Sequence, residues 1–114
     1  MPQELKVIQD FYDYTLWLTQ HVEKFPRHHR YSLGITIENN LQTILSLLLR
    51  AKYSHDKLAY LNEANMELEV LRFRVRLAKD LRALPIKSHA YAARMMQEVG
   101  AQIGGWRSAQ AAKR

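Results

Sequence analysis

The chain has 114 residues, a formal net charge of +6 and a 47% share of hydrophobic residues. This length fits one domain with its own core, covering residues 1–114, and is too short for two. The absence of cysteine excludes disulfides and thiolate zinc sites and is typical of a cytoplasmic protein. The longest nearly apolar run, residues 44–49, is far shorter than the ~20 residues that span a bilayer.

The first 25 residues predict an amphipathic helix, expected at about residues 4–24. Apolar residues recur at steps of three and four between Ile8 and Phe25, which places them on one helical face. Phe25 and Pro26 should end this helix, because proline lacks a backbone donor and disfavours the α conformation of the residue before it.

A basic segment follows, either as a connection or as the first turn of the next helix. It contains Arg27, His28, His29 and Arg30. Adjacent histidines do not point at one metal ion on a helix, and no carboxylate accompanies them at ligand spacing. We therefore predict no metal site, and we favour a solvated junction over an anion site.

The second helix is expected at about residues 28–53 and has an unusually broad apolar surface. Its width exceeds what one neighbouring helix covers, which predicts a central position in a bundle or contact with a second subunit. The main stripe consists of Leu33, Ile37, Leu41, Ile44 and Leu48. The residues that widen it are Ile35, Leu45, Leu47 and Leu49.

The third helix, expected at residues 57–83, has two apolar stripes and a row of cations. One stripe consists of Leu61, Ala64, Leu68, Leu71, Val75 and Ala78. The other consists of Met66, Val70, Phe73, Leu77, Leu81 and Leu84. The stripes are centred roughly 120–140° apart at about 100° per residue. Between them lie Arg72, Arg76 and Lys79, with Arg82 at the border of the first stripe.

The fourth helix is expected at residues 88–109, with Ser88 as its cap. Ala92, Met95 and Val99 begin its apolar face, which ends at Trp106. Glycines 100, 104 and 105 predict a notch where another segment approaches closely, since glycine disfavours helix interiors. Four helices with short connections predict an all-α, antiparallel up-down four-helix bundle.

No sequence motif indicates catalysis. The helix-bundle di-iron motif Glu-x-x-His, a phosphate-binding glycine loop and a nucleophile elbow are all absent from the sequence. We therefore expect a protein that is not an enzyme and needs no cofactor.

Three segments carry a family resemblance. They are residues 25–34 (FPRxxRYxLG), 71–81 (LRFxxRLAKDL) and 98–106 (EVGxxIGGW). In order and spacing they resemble the four-helix-bundle family that contains Avd, the accessory variability determinant of bacterial diversity-generating retroelements. The same family includes proteins encoded in intervening sequences of bacterial 23S ribosomal RNA genes.

The resemblance implies a cyclic homopentameric barrel that binds a reverse transcriptase and its template RNA or cDNA, with no chemistry of its own. The positions it points to for nucleic-acid or polymerase contact are Arg72, Arg76, Lys79 and Arg82, with Arg27 and Arg30 second. Those it points to for packing or oligomer contact are Gly100, Gly104, Gly105, Trp106, Phe25 and Pro26.

Two alternatives remain at this stage. The ribosomal-insertion relatives suggest a structural or protein-interaction bundle that never touches nucleic acid. In that case the cations would form ion pairs within the protein, for example Arg76 with Asp80 and Arg72 with Glu69. Binding to a membrane surface through the basic face is disfavoured, because both stripes of the third helix are expected to be packed.

Overall fold

The computed structural model describes residues 2–113, which form four long helical rods. The elements are α1 (Gln3–Val22), α2 (Arg27–His29), a π-helical segment (Arg30–Gly34), α3 (Ile35–Tyr53), α4 (Lys57–Asp80) and α5 (Ile86–Ala112). Because α2, the π segment and α3 follow one another without a break, they make up one rod. The predicted all-α four-helix bundle is confirmed.

The rods form an antiparallel square in which α1 and α4 occupy opposite corners. Helix α1 packs beside α3 and α5, and α4 packs between α3 and α5. Asn40 donates a hydrogen bond to the Glu67 carboxylate at 3.0 Å, and Arg74 donates one to the Thr36 carbonyl at 3.3 Å. The residue numbers of α3 thus fall as those of α4 rise, as antiparallel neighbours require.

The core consists largely of the apolar stripes that the helical period predicts. The first stripe of α4 is buried from Leu61 to Ala78, and the main stripe of α3 is buried from Ile37 to Leu48. On α5, Met96 is buried at the position expected for Met95, which packs against the core with partial exposure.

The second α4 stripe is not packed within the protomer. Met66 and Phe73 are each about two-thirds exposed (64% and 65%), and Leu77 and Leu81 are exposed as well. These residues lie on the side of α4 that faces away from the bundle. Leu84 is the exception, because it lies beyond the helix end and is fully buried.

Helix α4 ends three residues earlier than predicted. The N–H of Ala83 bonds to the carbonyl of Ala78, and the N–H of Arg82 to that of Lys79. Arg82 has a positive φ of 63°. This is the Schellman pattern, which satisfies the last carbonyls of a helix and reverses the chain. Helix α5 then begins at Ile86 after Pro85, so Ser88 lies inside the helix and is not its cap.

The junction after α1 contains a helical turn wider than an α-turn. Pro26 precedes α2, and the π segment covers the basic residue Arg30 and the buried Gly34. A side chain at position 34 would begin 2.9 Å from Val22 Cγ1, so glycine permits close packing against the end of α1. Single π turns occur frequently at functional sites.

No helix in residues 2–113 combines the length and the apolar character that crossing a membrane requires.

Candidate nucleic-acid interface

Charges on α4 are segregated along its length. Glu63, Glu67 and Glu69 lie in the first half, and every Lys or Arg after Lys57 lies from residue 72 onward. Arg72, Arg76 and Lys79, here called the cationic ridge, follow the α5 side of the helix. They lie between the buried stripe and the exposed one, as the period predicts.

Arg72 is held against α5 instead of extending into solvent. Its Nη2 donates to the Met96 carbonyl at 3.2 Å, and its Nε lies 3.3 Å from the Glu69 carboxylate. The guanidinium fills the space above Gly100, where an added Cβ would lie 2.5 Å from Nη2. About 37% of the side chain remains exposed, so Arg72 joins two helices while keeping one edge in solvent.

Arg76 and Lys79 are less constrained. The Arg76 side chain is 64% exposed and has a loose ion pair with Asp80, at 3.9 Å. Lys79 Nζ lies 3.5 Å from the same carboxylate. Exposed pairs of this kind contribute at most about 1 kcal/mol, so both cations can be drawn to a phosphate at small cost.

Arg82 extends the ridge past the end of the helix. It is exposed and occupies the left-handed position of the capping turn. Together with Lys79, Asp80, Leu84, Pro85 and Ile86 it lines a surface depression of about 500 Å³. A cation at a helix C-terminus also interacts favourably with the helix dipole.

His89 is a titratable group beside the ridge that sequence reasoning did not single out. Its pKa is lowered, chiefly because burial disfavours the charged imidazolium. Repulsion from Lys79 and, more weakly, from Arg76 lowers the pKa further, whereas attraction to Asp80 raises it. The only sequence signal was its position in the first turn of α5. Because α5 runs antiparallel to α4, this turn lies level with the end of α4.

The junction cations lie at the same end of the bundle as the end of α4. Arg27 is exposed, whereas Arg30 donates to the Glu23 carbonyl at 3.2 Å and packs its guanidinium over the Tyr31 ring. The half of the bundle formed by residues 11–38 and 71–99 contains ten Lys and Arg against five Asp and Glu. The remaining residues contain seven against six. The positive excess is therefore concentrated in the half that carries every candidate contact residue.

Arg74 lies on the other side of the exposed stripe from the ridge. Its guanidinium donates to the Thr36 carbonyl, which links α4 to α3. The observed acceptor is a backbone carbonyl, and no residue pattern on α4 alone indicates it.

The residues expected to serve packing or oligomer contact have different environments. Trp106 and Phe25 are buried, and Pro26 is exposed at the N-terminus of α2. Gly105 lies close to Gln3, since an added Cβ would be 2.9 Å from the Gln3 side-chain amide nitrogen. Gly104 faces open space, with no atom within 4 Å of such a Cβ, so within the protomer it does not accommodate a neighbour.

Metal-binding geometry is not found in the part of the chain that the structure describes. No three side chains of His, Cys, Asp or Glu in residues 2–113 converge closely enough to hold an ion.

Comparison with known families assigns the chain. A family model described as bAvd-like matches residues 5–110, nearly the whole sequence. The protein belongs to the bAvd-like family. The resemblance inferred from residues 25–34, 71–81 and 98–106 is thereby confirmed, and Avd-type proteins are accessory and non-catalytic. No curated protein matches the sequence.

Proposed function

We propose that this bAvd-like protein is a basic accessory protein of a diversity-generating retroelement. It binds the element's reverse transcriptase together with template RNA or cDNA, and it performs no chemistry itself. In this proposal the protein works as a cytoplasmic homopentamer, so each cationic ridge is repeated around a ring. Five copies at +6 would give roughly +30, a field that attracts polyanions over long distances.

The observation that carries the proposal is the exposure of Arg76 beside Lys79 and Arg82. These three cations follow one another along the end of α4. Arg76 and Lys79 have only loose contacts with Asp80, the Lys79 side chain is 31% exposed, and Arg82 is exposed. Cations that are exposed and weakly paired can exchange their partners for phosphate oxygens and release counterions. Arg72 contributes one edge of its guanidinium, since its other contacts hold α5.

The ridge fits phosphate recognition better than base recognition. Its members are spaced by three or four residues and lie in a row along one helix, which suits contact with successive phosphates. Such a row contacts the backbone of a nucleic acid and carries little sequence information. Selection of one template would then depend on RNA shape and on the reverse transcriptase.

The test replaces Arg76, Lys79 and Arg82 by alanine together and leaves Arg72 in place. The matched control removes the same charge elsewhere, with Lys6→Ala, Arg107→Ala and Lys113→Ala. Affinity for a structured retroelement template RNA is measured by fluorescence anisotropy across a salt series. Three lost phosphate contacts should reduce the slope of log K against log salt by roughly 2 to 3.

The control variant should lose less affinity and should largely keep the slope. Co-purification with the reverse transcriptase of such an element is measured on the same proteins. Equal behaviour of the two triple variants toward RNA would contradict the role of the ridge.

A purely structural role is the second candidate, and specific contacts favour it. The ion pairs expected for it, Arg72 with Glu69 and Arg76 with Asp80, are both present. Such a bundle would oligomerise and bind protein without RNA. If the unmodified protein shows no salt-dependent RNA binding while it still binds a polymerase, this candidate replaces the first.

A further inference from the structure

Two apolar surfaces of the protomer are exposed, and they have different shapes. The first is the α4 stripe, defined as Met66, Val70, Phe73, Leu77 and Leu81. It runs along a single helix at one corner of the bundle, so it is convex. Four of its five members are at least 44% exposed, and Val70 is partly buried. Continuous apolar surface of this kind marks an interaction site.

The second surface is the α1–α3 groove, defined as Leu5, Tyr12 and Leu16 of α1 with Leu45 and Leu49 of α3. Leu45 is partly buried, and the other four are exposed. In a square bundle, the side chains on the adjoining edges of two neighbouring helices line a furrow. Leu45 and Leu49 also line a depression of about 440 Å³ on the outer side of α3.

The two surfaces belong to different sides of the bundle. The α4 stripe faces outward at the corner diagonal to α1, and the groove lies along the side formed by α1 and α3. A ridge and a furrow on different sides of one molecule are suited to head-to-tail association. Such contacts are heterologous and generate a closed ring when the rotation between copies closes.

Charged residues beside the two surfaces lie at matching heights along the bundle. Asn40 pairs with Glu67 and Thr36 with Arg74, so Glu38 lies level with the middle of α4. Arg72 contacts the carbonyl of Met96, and Trp17 of α1 packs on Tyr91, five residues earlier on α5. Position 12 of α1 therefore lies level with Arg72.

This alignment sets opposite charges beside each other. Asp13 and Glu38 flank the groove at the height where Arg74 and Arg76 flank the stripe. In a cyclic ring whose axis runs parallel to the helices, equal heights along the bundle meet at each contact.

We propose that the α4 stripe of one copy packs into the α1–α3 groove of the next copy. The partner is thus a second copy of this chain, and each protomer uses both surfaces. The contact buries Phe73 and Leu77 at its centre and leaves Arg76 at its edge, beside solvent. This inference deepens the oligomer included in the proposed function and rests on that proposal for the number of subunits.

The experiment uses two variants that each block one surface. Phe73→Glu with Leu77→Glu blocks the stripe, and Tyr12→Glu with Leu16→Glu blocks the groove. All four positions are exposed in the protomer, so the fold should persist, which circular dichroism checks. Ile86→Glu is the control, since Ile86 is a highly exposed apolar residue outside both surfaces.

Light scattering should find each blocked variant as a monomer of 13.4 kDa, while the control keeps the oligomer mass of the unmodified protein. An equimolar mixture of the two blocked variants should form a dimer, because one intact stripe then meets one intact groove. A mixture that remains monomeric would overturn the head-to-tail assignment. So would a blocked stripe that leaves the oligomer mass unchanged.

The same samples separate this inference from the proposed function. An unmodified protein that is monomeric but binds RNA or reverse transcriptase would refute the interface and support the accessory role. Loss of polymerase binding in the blocked-stripe variant of such a monomer would assign the stripe to the polymerase and refute the inference. Ring formation through these surfaces without RNA or polymerase binding would support the interface and refute the proposed function.

Discussion

The guanidinium of Arg72 occupies the space that a side chain at Gly100 would need. A Cβ at position 100 would lie 2.5 Å from Arg72 Nη2 and 3.4 Å from Leu68 Cδ2. The glycine therefore leaves the space that the arginine occupies, and the two residues should be energetically coupled. The close neighbour is the far end of a flexible side chain, so it can move when the space is taken.

A double-mutant cycle tests this coupling. Gly100→Ala alone should change stability little, because the gain in helix propensity is offset by displacement of Arg72 from the Met96 carbonyl. In an Arg72→Ala background the same change should stabilise by about 0.5–1 kcal/mol, since only the propensity gain remains. Urea unfolding at fixed protein concentration measures the stability change caused by Gly100→Ala in each background. Equal effects in the two backgrounds would show that the residues are independent.

Gly34 should be intolerant of alanine. The added methyl group would lie 2.9 Å from Cγ1 of Val22, a fully buried and β-branched side chain with restricted rotamers. Overpacking of this kind typically costs about 1–3 kcal/mol. Gly104→Ala is the matched control, and it should be neutral or stabilise by up to about 1 kcal/mol because its surroundings are open. Thermal unfolding measures the stability of both variants. A Gly34→Ala protein as stable as the unmodified one would contradict the packing argument.

Arg82→Gly should stabilise the chain relative to Arg82→Ala. Both variants remove the charge, but only glycine adopts a φ of 63° without a steric penalty of about 1–2 kcal/mol. The difference between the two variants in urea unfolding therefore isolates backbone strain from electrostatics. A glycine variant no more stable than the alanine variant would mean that the turn relaxes to a different conformation.

His89 should make the protein less stable as the pH falls below the ordinary histidine range. Its pKa is lowered in the folded chain by burial and by Lys79, so the unfolded chain binds more protons in this window. Stability is then fully present above about pH 6.5 and declines as the pH drops from there toward the lowered pKa. The decline should be smaller in His89→Gln.

Unfolding free energies at roughly pH 7.5 and 5.5 test this expectation. His55→Gln serves as the control, because His55 is exposed in the connection between α3 and α4. The control should keep the decline of the unmodified protein. An identical decline in all three proteins would exclude His89 as its source.

Helical periodicity was sufficient to predict the four rods and most of the core. It could not distinguish an apolar stripe that the chain itself covers from one left exposed, and so it did not indicate which of the two α4 stripes lies outside the core. The early end of α4 was also missed, because its left-handed position is occupied by Arg82 and not by glycine. The position of Arg72 depends on Gly100, a residue on another helix, and a pattern within α4 carries no information about it.

The π segment at residues 30–34 contains one residue more than an α-helix of equal rise would hold. Deleting a single residue there would restore α-helical winding. Because the wider turn accommodates the extra residue, the residues on both sides, Arg27 and Ile37 among them, would keep their orientation around the axis. The junction can therefore gain or lose one residue without a change in the core. Relatives that differ by one residue at this point would share the same interior and direct their junction cations toward the same side.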